Sequence, residues 1–267
     1  MLPREELLKG SRRPEELATL IDLAEEALRT WEPCWSGFVE ADLQEEAVER
    51  LGALSELQVL SDGGWPQAER RRLLLQRAEL AQQAGAAEAE AEPRAALAGL
   101  MVSGNFLFDP ADPGDVRRGL LTAGIEPGSL GDIWMRGDRG ALAVIEHQAG
   151  ERWHGSRAQV RSVEVELSLL PFEQIPWPAA RNPRRLSSVE ASLRLDAVAS
   201  AGLGMSRSRM AELIRNGSVR VNWQVVTTPS RELRCGDRVR LDGRGELEIL
   251  EIQPTKRERW RVVMERR

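Results

Sequence analysis

Two stretches interrupt the regular apolar patterns of this sequence and divide it into three segments. The first, Ala87–Pro93, alternates alanine with glutamate, and the second is an extended connector carrying prolines between Pro171 and Pro183. We therefore expect three small domains, at residues 1–85, 94–175 and 184–267. Each segment contains patterns typical of both helices and strands, so the sequence predicts an α+β fold.

The first segment predicts a small α/β domain. Pro14 suits the first turn of a helix, and apolar residues follow it at helical spacing. A short β-like run, Leu57–Leu60, comes before a turn rich in glycine. The predicted apolar stripe of the helix consists of Leu17, Leu20, Ile21, Ala24, Leu28 and Trp31.

The middle segment alternates strand and helix patterns in the order βαββαβ, which predicts a ferredoxin-like, RRM-like plait. An RRM stacks bases on aromatic side chains of its central strands, whereas the run Ala141–Ile145 contains no aromatic residue. We therefore expect a scaffold or protein-contact role for this domain. The predicted elements are strand Leu97–Val102, helix Pro113–Ala123, a hairpin from Ile133 to Ile145, a helix within 147–158 and strand Val160–Leu169.

Charge separates the last segment from the rest of the chain. Residues 181–267 contain 19 Lys/Arg and 11 Asp/Glu, a balance of +8. The other residues contain 18 Lys/Arg and 31 Asp/Glu, a balance of −13, and the two sum to the net −5 of the chain. This asymmetry indicates that the last segment alone binds a polyanion.

The last segment predicts two helices, Val189–Ala201 and Arg207–Arg215, followed by short strands. This layout is typical of αL-type RNA-binding modules. Ser206 is a natural N-cap for the second helix, and the free N–H groups and dipole of a helix N-terminus favour phosphate. Arginines beside that helix start would neutralise a nucleic-acid backbone at several points. A single arginine is more often a solvated surface residue than a ligand, so it is their combination with the helix start that favours nucleic-acid binding.

These residues resemble the S4 RNA-binding domain, through Arg194–Asp196, Ser206–Ser208, Leu213–Asn222 and Gly236–Val239. The S4 family usually places glycine after its Val-Asn pair, where this chain has Trp223, so that ring could stack on a base or pack on a neighbour. The helical wheel adds Ser208 and Asn216 to the candidate surface. The resemblance implies that structured RNA is contacted by Arg194, Ser206, Arg207, Arg209, Arg215, Arg220 and Asn222.

The whole chain is similar to YlmH-type S4 proteins, whose cyanobacterial and plastid branch is called the photosystem II S4 domain protein family. The resemblance rests on Gly63–Arg72 and on Gly131–Ile133. It implies an N-terminal α/β domain, an RRM-like domain and an S4 domain. Bacterial members act on the large ribosomal subunit in rescue of stalled nascent chains, contacting rRNA and tRNA. Asp109–Pro113 replaces the basic, histidine-containing stretch of that branch, and Arg70–Arg72 could bind RNA or form salt bridges.

We therefore expect a non-catalytic protein that binds structured rRNA or tRNA, in association with the large ribosomal subunit. Two alternatives stay open: an RNA-modifying enzyme with an unrecognised active site, and an assembly factor linked to photosystem biogenesis. The two histidines and two cysteines suggest no metal site, and we predict no catalytic residue, no cofactor and no DNA partner. No apolar run is long enough for a membrane-spanning helix and no secretory signal is visible, which predicts a cytoplasmic protein without membrane insertion.

Overall fold

The computed structural model describes residues 2–83, 96–179, 182–241 and 244–267. The predicted linker Ala87–Pro93 lies outside these residues. The chain is a mixed α+β protein with three antiparallel sheets, which confirms the predicted fold class. It separates into two compact units, Met1–Pro178 and Ala179–Arg267, which are described in turn.

The first part of unit one contains a three-stranded sheet flanked by helices. Its elements are α1 (Arg4–Leu8), α2 (Pro14–Thr30), β1 (Cys34–Trp35), α3 (Ala41–Gly52), β2 (Leu57–Asp62), β3 (Arg72–Arg77) and α4 (Ala78–Gln83). The strands run in the order β1-β3-β2. Apolar side chains of α2, α3 and the central strand β3 form a common core.

Helix α2 begins where the sequence predicts, with Pro14 in its first turn. The predicted residues from Leu17 to Ala24 are buried, but Trp31 is not part of the buried stripe. Trp31 follows the last helical residue in a left-handed conformation with φ 64°. Its ring is 54% exposed and stacks with the Arg77 guanidinium at 3.9 Å from the ring centroid. The helix therefore ends one residue before the predicted stripe does.

The second part of unit one contains a five-stranded sheet with two helices. Its elements are β4 (Leu97–Ser103), α5 (Pro113–Ala123), β5 (Leu130–Met135), β6 (Gly140–Glu146), α6 (His147–Trp153), β7 (Arg157–Val160) and β8 (Val163–Leu170). The strand order is β5-β6-β4-β8-β7. Without the edge strand β7, which the sequence did not predict, the elements follow the predicted βαββαβ order.

Both faces of this sheet are covered. On one face Ala141, Ala143 and Ile145 pack in a core with side chains of α5 and α6. On the other face Val144 packs in a cluster with Phe38 from the first part of the unit. A chain extension, which runs from the 3₁₀ turn Phe172–Gln174 to Trp177, crosses the same face. Because adjacent strand residues point to opposite faces, β6 is buried along nearly all its length.

The two signature motifs of the chain meet at the joint between these two parts. The Asp132 carboxylate accepts hydrogen bonds from Trp65 Nε1 at 3.2 Å, Glu69 N at 2.8 Å and Arg70 N at 2.9 Å. Rings of Trp65, Trp134 and Trp177 lie 5.9–6.3 Å apart between centroids beside this joint. The motifs at Gly63–Arg72 and Gly131–Ile133 therefore hold the two parts of the unit together.

Unit two is a six-stranded sheet with two helices packed on one face. Its elements are β9 (Arg184–Glu190), α7 (Leu195–Leu203), α8 (Arg207–Arg215), β10 (Val219–Val221), β11 (Gln224–Val225), β12 (Arg238–Leu241), β13 (Gly245–Pro254) and β14 (Trp260–Arg266). The strand order is β11-β10-β12-β13-β14-β9. Side chains of both helices and of the central strands share one core.

The predicted helix Val189–Ala201 was wrong in its first half. Residues 184–190 form β9, which pairs antiparallel with β14 at the far end of the domain sequence. Helix α7 begins only at Leu195, after the cap residue Arg194. The apolar spacing at Val189 fits a helix locally, but its side chain is 52% exposed on the strand. The distant partner strand decides the conformation, and local periodicity does not reveal it.

Candidate nucleic-acid interface

Helix α8 presents an exposed, capped N-terminus. Ser206 is the N-cap, as predicted, and its Oγ accepts a hydrogen bond from Arg209 N at 3.3 Å. Met210, Ala211 and Ile214 are buried and fasten the helix to the domain core. Ser206, Arg207, Ser208 and Arg209 are all exposed. The helix therefore turns the positive end of its dipole and a group of hydroxyls and arginines toward solvent.

Arg194 and Arg207 meet at one carboxylate, that of Asp196. Arg194 donates from Nε and Nη2 at 3.0 and 3.1 Å, and Arg207 donates from the same two atoms at 3.1 and 3.2 Å. The Asp196 side chain is 7% exposed, while those of Arg194 and Arg207 are 39% and 53% exposed. The ion pairs thus bury the acid and leave both arginines partly at the surface.

The electrostatics of this cluster favour the charged forms. Burial alone would raise the pKa of Asp196, but hydrogen bonds from Arg194 and Arg207 outweigh it, so the pKa lies below its ordinary value. The hydrogen bond to Asp196 in turn raises the pKa of Arg194. The carboxylate stays ionised at neutral pH, and the cluster of two guanidinium groups and one carboxylate carries a net charge of about +1.

The remaining predicted residues of α8 differ in how they are engaged. Arg209 forms an exposed ion pair with Glu212 at 2.7 Å, within its own helix. Arg215 is exposed at the end of the helix and has no ion pair with any residue that the structure describes. Asn216 is the exposed C-cap, and its backbone N–H bonds to Glu212 O at 3.0 Å. Arg215 is therefore available to a ligand without breaking a described contact.

Arg220 lies on a different face from the helix residues. Its neighbours Val219 and Val221 are buried in the core beneath α7 and α8. Because strand side chains alternate, Arg220 points to the opposite face of the sheet, where its register partner Arg240 also lies. The structure therefore brings Arg194 and Ser206–Asn216 to the helix side of the domain but not Arg220.

Asn222 has an internal role in the described structure. Its Nδ2 donates to Asp237 Oδ1 at 2.8 Å and its Oδ1 accepts from Arg238 N at 2.9 Å. Asn222 and Trp223 have φ values of 49° and 68°, and they join the paired strands β10 and β11. This is the geometry of a type I′ hairpin turn, formed here without glycine. Both hydrogen bonds hold the hairpin against the loop before β12.

The Trp223 ring packs against its own domain. The Arg238 and Arg240 guanidinium groups lie 5.2 and 5.8 Å from its ring centroid. Of the two alternatives left open by the sequence, packing on a neighbour is the one observed. Cys235 is exposed, and its Sγ donates to Leu250 O at 2.9 Å.

A polar cleft beside Arg194 contains two arginines that the sequence reasoning missed. The segment before β12 lies along the start of α7, with Leu195 N donating to Arg231 O at 2.7 Å and Leu233 N donating to Leu193 O at 2.9 Å. Arg231 and Arg234 line the cleft and have no ion pair with a described residue. The cleft has a volume of about 650 Å³, and its other lining residues are Leu193, Asn222, Glu232, Leu233 and Asp237.

These two arginines carry no periodic signal that could have found them. They belong to an irregular loop, and only its pairing with Leu193–Leu195 places them near Arg194. Arg231 and Arg234 entered the sequence analysis only as part of the number of Lys and Arg residues in 181–267. Glu232 and Asp237 balance their charge locally, so the cleft is polar rather than strongly cationic.

The arginine run of unit one forms internal contacts. Arg70 pairs with Glu40 at 2.9 Å, and Arg71 donates to Ala68 O and Pro66 O. Arg72 is buried, donates to Ser36 O at 3.0 Å and lies 3.6 Å from Glu146. The salt-bridged alternative for Arg70–Arg72 is the one observed.

The described part of the chain contains neither a candidate metal site nor a candidate membrane-spanning helix. No three or more His, Cys, Asp or Glu side chains come together there as metal ligands would. No helix within the described ranges combines the length and the apolar character needed to cross a membrane.

Comparison with known families identifies two regions of the chain. The family model described as "YlmH, N-terminal" matches residues 12–80, and the S4 domain model matches residues 193–239. One chain therefore carries a YlmH-type N-terminal region and a C-terminal S4 domain, which confirms both resemblances at this level. The S4 match contains the candidate interface, including the cleft with Arg231 and Arg234.

Two individual proteins are similar to parts of this chain. The chain is 30% identical over 148 residues to ribosome-associated protein quality control protein P2 of Bacillus subtilis strain 168. That alignment covers 55% of this chain and 57% of the relative, so it spans less than two thirds of that protein. A solved structure, cell division protein ylmH from Streptococcus pneumoniae, is 18% identical with a TM-score of 0.46, over 62% of this chain and 96% of that one.

Proposed function

We propose that this protein binds structured RNA, rRNA or tRNA, through its S4 domain, without catalysing a reaction on it. The observation that supports this most strongly is the group of exposed arginines around the start of α8, inside the region that matches the S4 model. Backbone phosphates are the ligands that a helix N-terminus with flanking guanidinium groups suits best. The interface comprises Arg194, Ser206, Arg207, Ser208, Arg209, Arg215 and Asn216, with Arg231 and Arg234 at its edge.

The cellular setting that we propose is the large ribosomal subunit, in rescue of stalled nascent chains. The named relative is a ribosome-associated quality control protein, and its similarity to this chain supports that setting. A cytoplasmic location follows from it. The link to the cyanobacterial and plastid branch, and to photosystem biogenesis, stays a prediction from the motif at Gly63–Arg72.

For the middle part of unit one, we propose an RRM-like plait used as a scaffold. Phe38 and the extension through Trp177 cover the sheet face that lies opposite the helices. That is the face on which an RRM stacks bases. Strand β6 carries no aromatic residue, and its side chains Leu142 and Val144 are fully buried. RNA binding is therefore assigned to the S4 domain alone.

The test is the salt dependence of RNA binding by the full chain. Binding of labelled bulk tRNA and of large-subunit rRNA is measured between 50 and 300 mM KCl, an interval chosen as roughly that over which phosphate contacts are screened. In Arg207→Ala/Arg215→Ala, affinity is expected to fall and the slope of log K against log salt to decrease by about two units.

A matched control removes the same charge from unit one. Arg118 and Arg157 are 71% and 73% exposed, and they pair with Asp115 and Glu164 respectively. The double variant Arg118→Ala/Arg157→Ala should keep the wild-type slope. Equal slopes for wild type and Arg207→Ala/Arg215→Ala, or equal losses in both double variants, would contradict the assignment of the interface to α8.

A further inference from the structure

Asp196 is a buried acidic group in the middle of the proposed interface, and an acid is not expected where RNA phosphate binds. Its position is nevertheless well defined. Each of its two carboxylate oxygens accepts one hydrogen bond from Arg194 and one from Arg207, all between 3.0 and 3.2 Å. The carboxylate thus lies between two guanidinium groups and satisfies the same two nitrogen atoms, Nε and Nη2, of each.

This pairing leaves the third nitrogen of both arginines unused. Nη1 of Arg194 and Nη1 of Arg207 have no hydrogen bond to any residue that the structure describes. Both side chains are partly exposed, whereas the acid between them is 93% covered, with 7% exposed. Free donors of two guanidinium groups therefore remain at the surface, on groups whose other donors are fixed.

The carboxylate also offsets the electrostatic repulsion between the two guanidinium groups. Two guanidinium groups in close contact repel each other, and long arginine side chains lose rotamer freedom when they are held in place. A buried anion between them removes the repulsion and fixes both side chains before any ligand arrives. Ligand binding then does not have to order them, which is the usual benefit of a preorganised site.

We propose that Asp196 is a positioning residue that holds Arg194 and Arg207 as one phosphate-binding pair, and that this pair binds a single phosphodiester group of the RNA. The inference rests on the proposed RNA-binding function and names the residue that organises its centre. A single phosphate suits the pair because both arginines are held by the same carboxylate, and phosphate oxygens accept guanidinium N–H groups in a forked geometry. The first turn of α8, which begins at Arg207 itself, supplies further N–H donors that have no partner within the helix.

The test uses a variant for which a pure charge effect and a loss of positioning predict opposite changes in RNA affinity. Asp196→Asn raises the net charge of the interface by one, so charge alone predicts tighter RNA binding and a steeper salt slope. If Asp196 positions the arginines, the same variant binds bulk tRNA about tenfold more weakly, with a salt slope lower by about one unit. Asp196→Glu, which keeps the carboxylate, should recover part of the lost affinity.

A second variant avoids the risk that Asp196→Asn disturbs folding. Arg194→Lys/Arg207→Lys keeps the charge of the interface but replaces two planar forks by point charges. We expect a loss of affinity of about tenfold, whereas Arg118→Lys/Arg157→Lys, at two exposed arginines of unit one outside the interface, should change it less than about twofold. Binding at wild-type strength in the double lysine variant would overturn the proposal.

The outcomes separate the two proposals. If Arg207→Ala/Arg215→Ala binds tRNA and rRNA as well as wild type does, the proposed function itself fails. If that variant loses affinity while a folded Asp196→Asn binds as tightly as wild type or more tightly, RNA binding by the S4 domain stands and the positioning role of Asp196 is refuted.

Discussion

At the scale of single residues, the S4 domain is organised by side chains that bind one another. Asp196 holds two arginines, and Asn222 ties the hairpin to the loop before β12 through two hydrogen bonds. These polar groups are hydrogen-bonded within the domain, as buried or half-buried polar groups in folded proteins usually are. Such contacts fix the side chains that surround the proposed RNA-binding surface.

The ion pairs of Asp196 predict a specific pH dependence of stability. Its pKa in the folded chain lies below its ordinary value, so the unfolded chain binds the proton more tightly. Its contribution is therefore complete above the unfolded pKa of about 3.9 and is lost as the pH falls through the lower, folded pKa.

The measurement is urea unfolding of wild type and Asp196→Asn between pH 7 and pH 2.5, with both values compared at each pH. At neutral pH we expect wild type to be more stable by on the order of 1–2 kcal/mol, the usual worth of charged hydrogen bonds that are lost. The difference should shrink below about pH 4. A difference that stays constant across this range would show that the carboxylate charge does not matter for stability.

Some residue-scale features could be predicted from the sequence and others could not. The N-cap Ser206 and the buried stripe of α8 follow from local chemistry and spacing, and both are observed. The contact made by the Trp223 ring could not be predicted, because it is formed with two arginines of β12, which lie further along the chain. Arg220 lies on the sheet face opposite the core, because its neighbours Val219 and Val221 point into the core and strand side chains alternate. Which face is the core face is decided by the tertiary fold and could not be predicted from the strand alone.

At the scale of elements, the joint inside unit one depends on close approach of the backbone. A Cβ on Gly131 would lie 2.8 Å from the Phe38 ring, whereas one on Gly128 would meet its nearest neighbour, Gly37 Cα, at an ordinary 3.6 Å. Phe38 N also donates to Gly128 O across the same joint. Glycine at 131 is therefore required by its close packing against the Phe38 ring.

These distances predict different effects for two neighbouring glycines. Gly131→Ala should lower the free energy of unfolding of the chain by about 1–3 kcal/mol, because the added methyl group forces the Phe38 ring to move. Gly128→Ala, in the same joint, should be tolerated within about 0.5 kcal/mol. Thermal unfolding of both variants tests this. Equal stability of the two would contradict the close packing of Phe38 on Gly131.

Element boundaries show where local patterns are sufficient. Helices α2 and α8 and the strands of the middle sheet other than β7 lie close to the predicted positions, because their apolar spacing is strong. Strand β9 and edge strand β7 were missed, because each is defined by pairing with another strand. The contact of Gly63–Arg72 with Asp132 could not be predicted either, because neither motif contains a pattern that indicates its distant partner.

At the scale of the whole molecule, charge and fold divide the chain at the same place. Residues 181–267, with a balance of +8, lie within the compact unit Ala179–Arg267, and the balance of −13 belongs to the rest of the chain. An acidic unit repels RNA and discourages nonspecific contact with it, while a basic unit attracts it. This division agrees with the proposal that unit two binds RNA and unit one does not.

The most direct test of this account is ultraviolet crosslinking of the full chain to bulk tRNA and to large-subunit rRNA, with the attached peptides identified by mass spectrometry. We predict crosslinks concentrated within residues 193–216 and 231–234, around Arg194, Arg207 and Arg215, and few in unit one. Crosslinks confined to residues 2–178, with none in the S4 match at 193–239, would contradict it.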